Sequence, residues 1–512
     1  SSDLLVEPVN PVGGSNWIYD AMYFRAVSDP AIIPDPFTGL YWPQRVKRAE
    51  VYALAGSPIG ATLDWVSLKF VENITVPTDA WYDWDAEKHE VLLAPPGTTA
   101  KTKTVVYYND NLFDVKYHDG SRFSLADMIF SYILTFDRGK PESSVYDESY
   151  LPTFEAFREY FKGFKIVSEK PLVIEYYSDA IYLDAEWIAA TAAGAFYTDY
   201  TYGPGPWHTV AVGWLAEADK RLAYSADKAE KLEVEWASYI AGPSLPILEE
   251  YLAKAISEKF IPYKSVMSRY ITESEALDRY NKLREWYKAK GNFLVGAGPF
   301  YLERVDPTAR IVVLKAYREF IDPADRWLRF SRPMIPEVKI VSIPTITPGM
   351  QADINISITF EGNPYKKDDI NYVKYIVTSP TVTLVGVAEA VEDGRWKITL
   401  KREETSMLSA GALGIDVLVI SKLVGMPVST SGTATVMSVT EFLMDELAKA
   451  RAEYEIRVSE LSSTIKDLRA SIEGLRSRVD SLSGTVNTLM SVAALAIIIA
   501  IAAIAVPFIK KK

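Results

Sequence analysis

The chain has no cysteine and only three histidines, His89, His118 and His208, in 512 residues. Disulfides, thiolate metal sites and cysteine nucleophiles are excluded outright, and a thiol-free chain suits an exposed protein. No two histidines stand at His-x-x-x-His spacing, and no Gly-x-Ser-x-Gly nucleophile elbow occurs. Nor is there a basic excess: 55 Lys+Arg against 67 Asp+Glu leave a formal charge of −12, which argues against nucleic acid as a main partner. A disordered composition is missing too, since 12% of residues are aromatic and only 24% charged. The length calls for two or more folded units. No catalytic residue, metal ligand or cofactor is assigned on this basis, and the chain is read as a non-enzyme.

What is present begins at the C-terminal end. "LMSVAALAIIIAIAAIAVPFI", Leu489 to Ile509, is apolar except for Ser491 and is followed by Lys510, Lys511 and Lys512. At 1.5 Å per residue the run spans the roughly 30 Å hydrocarbon layer of a bilayer. The lysines predict a cytoplasmic tail, 510–512, a transmembrane helix, 491–509, and a bulk outside the cell membrane. An exported chain needs a signal, yet "SSDLLVEPVN" holds neither methionine nor an apolar segment, so Ser1 is expected to be a processed or truncated end. Asn73-Ile74-Thr75 and Asn355-Ile356-Ser357 are glycosylation sequons compatible with an external bulk.

Before the anchor, Val458, Ile465, Ile472, Val479 and Val486 recur every seventh residue, each followed three places on by Leu461, Leu468, Leu475, Leu482 and Leu489. This a/d heptad predicts a coiled-coil stalk over 439–490, and β-branched a with leucine d favours a parallel dimer, a trimer being the alternative. Tyr454 and Leu447 extend the d series, while Arg451 occupies an a position. Above the stalk, 336–438 reads as an immunoglobulin-like β-sandwich of six strands: "VKIVSI", "ADINISITF", "NYVKYIVTS", "TVTLVGVAEA", "GRWKITLKR" and "IDVLVISKL". The Asp393-Gly394 pair predicts a hairpin.

Residues 1–335 mix helices and strands. "YDWDAEKHEV" presents Asp83, Asp85 and Glu87, but an EF-hand needs glycine sixth and glutamate twelfth, where Lys88 and Ala94 stand. In "KYHDGSRFSLADMIFSY" the pattern predicts a strand over "FDVKYH", a reversal at Asp119-Gly120, and a helix capped by Ser124 with Asp127 reaching back, Phe123 stapling onto Met128. His118 therefore reads as a corner rather than a catalytic or metal-binding group.

The same stretch carries a family resemblance. "VKYHDGSRFSLADMIFSYILTFD" resembles the signature of family 5 extracellular solute-binding proteins, the dipeptide/oligopeptide receptors of ABC importers, at Val115, Lys116, His118, Asp119, Gly120, Phe123, Ser124, Asp127, Phe130 and Ser131. Tyr117 replaces phenylalanine, and Leu125-Ala126 is offset by one place. "GFKIVSEKPLVIEYYS" (Gly163 to Ser178) is similar to that family's two-strand element, and "VGAGPFYLERV" (Val295 to Val305) to its Gly-Thr-Gly-Pro-Tyr segment, with Ala297 and Phe300 as departures. "NPVGGSNWIYD" and "PDPFTGLYWPQRV" look like long archaeal and bacterial members. The resemblance implies an α/β periplasmic-binding-protein-like body (type 2) that closes around its ligand. Only about 35 residues separate Pro299 from the β module, so the second lobe is missing. The expectation is a C-terminal portion of a longer precursor, a second chain being the candidate for the missing lobe.

No contact residue is transferred from the family. From chemistry alone, the aromatic, glycine- and proline-rich "YTYGPGPWH" suggests a ligand wall of Tyr200, Tyr202, Trp207 and His208, and "GSNWIYD" adds Asn16, Trp17 and Tyr19, with core packing as the competing reading. The sequence thus predicts a cell-surface receptor that binds an oligopeptide or other organic solute and presents it to an ABC permease. The alternative is a structural cell-envelope or surface-layer component that reuses the fold on an oligomeric stalk.

Overall fold

A computed structural model describes residues 5, 7–12, 17–200 and 203–509. The chain divides into two compact units, one of Ser1–Pro336 with Tyr365–Tyr372 and Val419–Val428, the other of Glu337–Pro364, Val373–Leu418 and Ser429–Lys512. The first break falls beside the expected 335/336 boundary, but two segments expected in the β module cluster with the body instead.

The first unit is mixed α/β. Its main sheet has seven strands, in spatial order Val66–Val71, Val46–Leu54, Thr102–Tyr108, Leu172–Ser178, Phe161–Glu169, Trp81–Asp85 and Glu90–Leu93. Only the first pair is parallel; the rest run antiparallel, with Val106 opposite Ile174 and Ile166 opposite Ile174 on the other side. The two central strands are rich in Val, Ile and Tyr and almost wholly buried, as strands covered on both faces must be. One face meets the large core, in which Phe130, Ile133 and Phe136 of helix Leu125–Asp137 pack with Phe161, Phe164 and Phe196. The other face meets a smaller cluster of Ile74, Val76, Ala80, Ala94, Ala100 and Tyr177. The acidic "YDWDAEKHEV" stretch is a hairpin whose turn is closed by Asp85 accepting from the Glu87 and Lys88 amides.

The second unit holds two sheets, the first antiparallel throughout. One orders Glu337–Ser342, Ala352–Phe360, Arg395–Leu400 and Glu389–Glu392, with Asn363–Pro364 on the second strand; the other orders Thr383–Val387, Ile370–Thr378, Gly411–Ser421 and Val428–Val436. Strand burial alternates, for instance in Ala352–Phe360 and Gly411–Ser421. The hairpin at Asp393-Gly394 forms, with Gly394 at φ +74°. "TVTLVGVAEA" splits into two strands that belong to different sheets, and Val428–Val436 is a strand that the six-strand reading lacks.

A single 71-residue helix, Val439–Ile509, ends the described chain. Ser438 and Glu441 start it as a reciprocal cap: the Ser438 amide donates to Glu441 Oε2 at 2.9 Å and the Glu441 amide to Ser438 Oγ at 3.2 Å. The ten heptad side chains, Val458 to Leu489, are 45–64% exposed on the single chain. The turns just before them carry ion pairs within the helix, such as Lys449–Asp445 and Arg457–Glu453. Its C-terminal part is long and apolar enough to cross a membrane.

Candidate functional site

The chemically suggestive residues of the first unit meet around one corner, and local turn chemistry builds it. The Asp119 carboxylate accepts from the Ser121 amide at 2.9 Å and from Ser121 Oγ at 2.6 Å, while Gly120 takes φ +83°. Lys116 and Arg122 thereby face each other across a closed turn. "FDVKYH" is consequently not the expected strand. Leu112–Asp114 forms a 3-10 turn, and Val115 and Tyr117 bond back to Phe123 and Ser121 instead of joining the sheet. The helix that follows has the predicted cap, the Ser124 amide donating to Asp127 Oδ2 at 2.8 Å.

Asp127 does more than cap. Its Oδ1 accepts from the Trp207 amide at 3.1 Å and from Arg279 Nη1 at 2.9 Å, and its Oδ2 accepts from Arg279 Nη2 at 3.0 Å. Arg279 Nη2 also donates to Ser124 Oγ and the Arg122 carbonyl. Both partners are buried, and the guanidinium lies 5.5 Å from the Trp207 ring. Burial disfavours the Arg279 charge, but Asp127 outweighs that and holds the group protonated. This fork is a planar, bidentate ion pair satisfied on all sides.

Beside it, His208 Nε2 donates to Asp119 Oδ2 at 2.8 Å, both side chains being 0% exposed. Burial pushes the Asp119 carboxyl up, but His208 and the Ser121 hydrogen bonds overcome this and leave it below its ordinary value. Ser121, Asp119 and His208 name the members of a hydrolytic triad in an inoperative order. The carboxylate stands between hydroxyl and imidazole, so the imidazole is not hydrogen-bonded to the serine as a triad requires. Among the described residues no group of three or more histidines and carboxylates is placed to hold a metal.

His118 turns the other way, into "VGAGP". Its backbone amide donates to the Gly296 carbonyl at 2.8 Å, Nδ1 accepts from the Gly296 amide at 3.2 Å, and Nε2 donates to the Gly298 carbonyl at 3.0 Å. Those contacts demand the neutral ring, and burial lowers its pKa to about 4. The two glycines are there for close approach. A Cβ on Gly296 would stand 2.0 Å from the Val27 carbonyl oxygen, and one on Gly298 2.5 Å from that of Ser28. The corner thus ties together residues 116–127, 206–208, 279 and 295–299.

Among the described residues, those proposed from sequence as a ligand wall do not come together as one. Asn16 and Tyr202 lie outside the described residues. Tyr200 is buried against Phe24 with its hydroxyl donating to the Val295 carbonyl at 2.9 Å. Trp207 and His208 are interior groups of the corner, so all three are engaged in packing, the competing reading of the same stretch. Trp17 is half-buried, and Tyr19 is 42% exposed beside it at 5.9 Å. Sequence reasoning missed Arg279. Its signal was a place on the buried stripe of helix Glu273–Lys290, among Ala276, Tyr280, Leu283 and Trp286.

The chain matches no protein-family model and no curated protein. Among solved structures it is similar to an endo-beta-1,4-mannanase from Thermotoga petrophila, at 10% identity, covering 50% of this chain and 52% of that one, with a TM-score of 0.16. A tetra-tandem repeat of a large adhesion protein is 18% identical over 20% of this chain and 24% of that one, TM-score 0.16. The Lin-41 filamin domain is 16% identical over 20% of this chain and 91% of its own, TM-score 0.14. The chain spans about half of the mannanase and about a quarter of the adhesion repeat. Scores this low carry no argument about fold or activity.

Proposed function

We propose that the protein is a membrane-anchored, self-associating surface receptor. A periplasmic-binding-protein-like body and an immunoglobulin-like module stand on a parallel coiled coil with one transmembrane helix, and the body presents a peptide or other organic solute to an ABC permease. The observation that carries the stalk is the unbroken heptad seam. Ten apolar side chains on one continuous helix find no partner among the described residues, and further copies of the same seam would bury them. The body's assignment to family 5 rests on the sequence resemblance alone. Exposure of Asn73 and Asn355 suits glycosylation on the outer side.

A structural envelope role remains the second reading, and one observation favours it: the polar groups of the signature corner are engaged in holding segments together, not facing a ligand. Two measurements on the full chain in detergent separate the readings. A receptor gives a saturable thermal shift with a peptide library. An envelope component gives none and forms lateral assemblies through its globular units. A monomeric mass in detergent refutes the stalk under both.

A further inference from the structure

The first unit contains a second polar feature, at the opposite end of the helix that begins with Trp207 and His208. A cavity of about 400 Å³ opens between the loop Pro141–Ser149, the end of helix Trp207–Ala218 and helix Ala226–Leu232. At its base lies Glu217, 1% exposed. Oε1 accepts from the Tyr224 amide at 3.0 Å, but Oε2 has no hydrogen-bond partner. Lys228 Nζ is ion-paired with Oε1 at 3.3 Å and, among the described residues, has no hydrogen-bond partner. Buried polar atoms are nearly always paired, because an unpaired one forfeits its hydration. Here an ion-paired acceptor and donor both keep unused hydrogen-bonding positions on the wall of one cavity.

The surroundings restrict what completes them. Asp147, Glu148, Glu217 and Asp227 contribute four negative charges to the lining, and Lys220, Lys228 and Lys231 three positive ones. Arg138 supplies the fourth from behind, its Nη2 3.0 Å from Asp147. The balanced wall favours neither an anion nor a cation, but a molecule that carries both charges. Polyol hydroxyls would offer only neutral hydrogen bonds to a buried charged pair, which are weaker than ionic ones. Because the carboxylate and ammonium of the wall are adjacent, the matching ligand has its own two charges adjacent. An ammonium and a carboxylate on a single carbon meet that condition and form an alternating ring of four charges. The volume lies at the low end of small-molecule sites, of order 300–1,000 Å³.

We propose that this cavity binds a free α-amino acid, its ammonium donating to Glu217 Oε2 and its carboxylate accepting from Lys228 Nζ. Burial raises the Glu217 carboxyl pKa in the empty cavity, and an arriving ammonium offsets that cost. The site stands on the cavity alone and is independent of the solute-receptor reading.

The test is a thermal-shift screen of the full chain in detergent against each of the twenty free amino acids, with N-acetylated forms and glucose as comparators. At least one amino acid is expected to raise the midpoint saturably, and its N-acetyl form to bind at least tenfold more weakly. Glu217→Gln and Lys228→Met should each weaken binding tenfold or more. Ser144→Trp, at the exposed rim, should abolish it without touching the charge pair; circular dichroism melts establish that each variant is folded. No shift with any amino acid, a shift with glucose alone, or binding retained in folded Ser144→Trp each overturns the proposal.

Discussion

His118 makes the body acid-sensitive in a way that can be worked out from its three contacts. In the fold the imidazole is neutral, because Nδ1 must accept from the Gly296 amide while Nε2 donates to the Gly298 carbonyl. Protonating Nδ1 would point two N–H groups at each other inside the protein. The ring's pKa of about 4 compares with an ordinary value near 6.5. A depressed folded value means that the unfolded chain takes the proton first. The contribution is therefore fully present above about pH 6.5 and is lost as pH falls through about 4. At 1.36 kcal/mol per unit, the full loss is about 3 kcal/mol.

Eleven of the twelve tryptophans precede residue 337, so fluorescence-detected urea unfolding of the full chain reports the body. Wild-type stability should fall between pH 6.5 and 4.5 more steeply than that of His118→Asn, whose amide oxygen replaces the Nδ1 acceptor but does not titrate. The variant costs about 1 kcal/mol at neutral pH for the lost Gly298 hydrogen bond, so the two curves should cross at about pH 6 and the variant should be the more stable below it. Other groups act in both proteins and cancel in the difference; buried Glu217, with its raised pKa, loses stability in the opposite direction, as pH rises. Parallel curves for wild type and His118→Asn would refute the neutral-ring argument.

Removing one partner of the buried fork, as in Arg279→Met, should cost about 3–5 kcal/mol in urea unfolding, and adding Asp127→Asn should restore part of it; a loss under about 1 kcal/mol would show that the pair is solvated. Gly298→Ala should destabilise by about 1–3 kcal/mol through overpacking, because its Cβ would meet the Ser28 carbonyl at 2.5 Å, and an unchanged midpoint contradicts that close approach. Ile465→Asp with Ile472→Asp should reduce the oligomer to monomer by sedimentation in detergent, whereas Lys449→Ala, on the outer face of the heptad, should leave the mass unchanged.

The features legible in the sequence are those closed within a few residues. Ser124 and Asp127 announce a helix start because cap and carboxylate are three apart, and Asp119-Gly120 announces a turn because side chain and positive φ suffice to make it. The heptad is equally local, and its 71-residue helix follows from repetition. The missed strand Val428–Val436, "VSTSGTATV", alternates in small polar residues, so its periodicity lacks the apolar contrast on which strand reading depends.

The corner was illegible for a different reason. Asp119 meets His208 across 89 positions and Asp127 meets Arg279 across 152, and no spacing rule connects such pairs before the fold does. The turn that places Asp119 next to Ser121 directs its other oxygen inward to His208, and the glycines of "VGAGP" bring backbone to His118 on the opposite side. Each group is thereby used up in joining segments. Groups left short of hydrogen bonds on a cavity wall, as Glu217 Oε2 and Lys228 Nζ are, point to ligand chemistry more directly than a suggestive run of residues whose partners are all inside the protein.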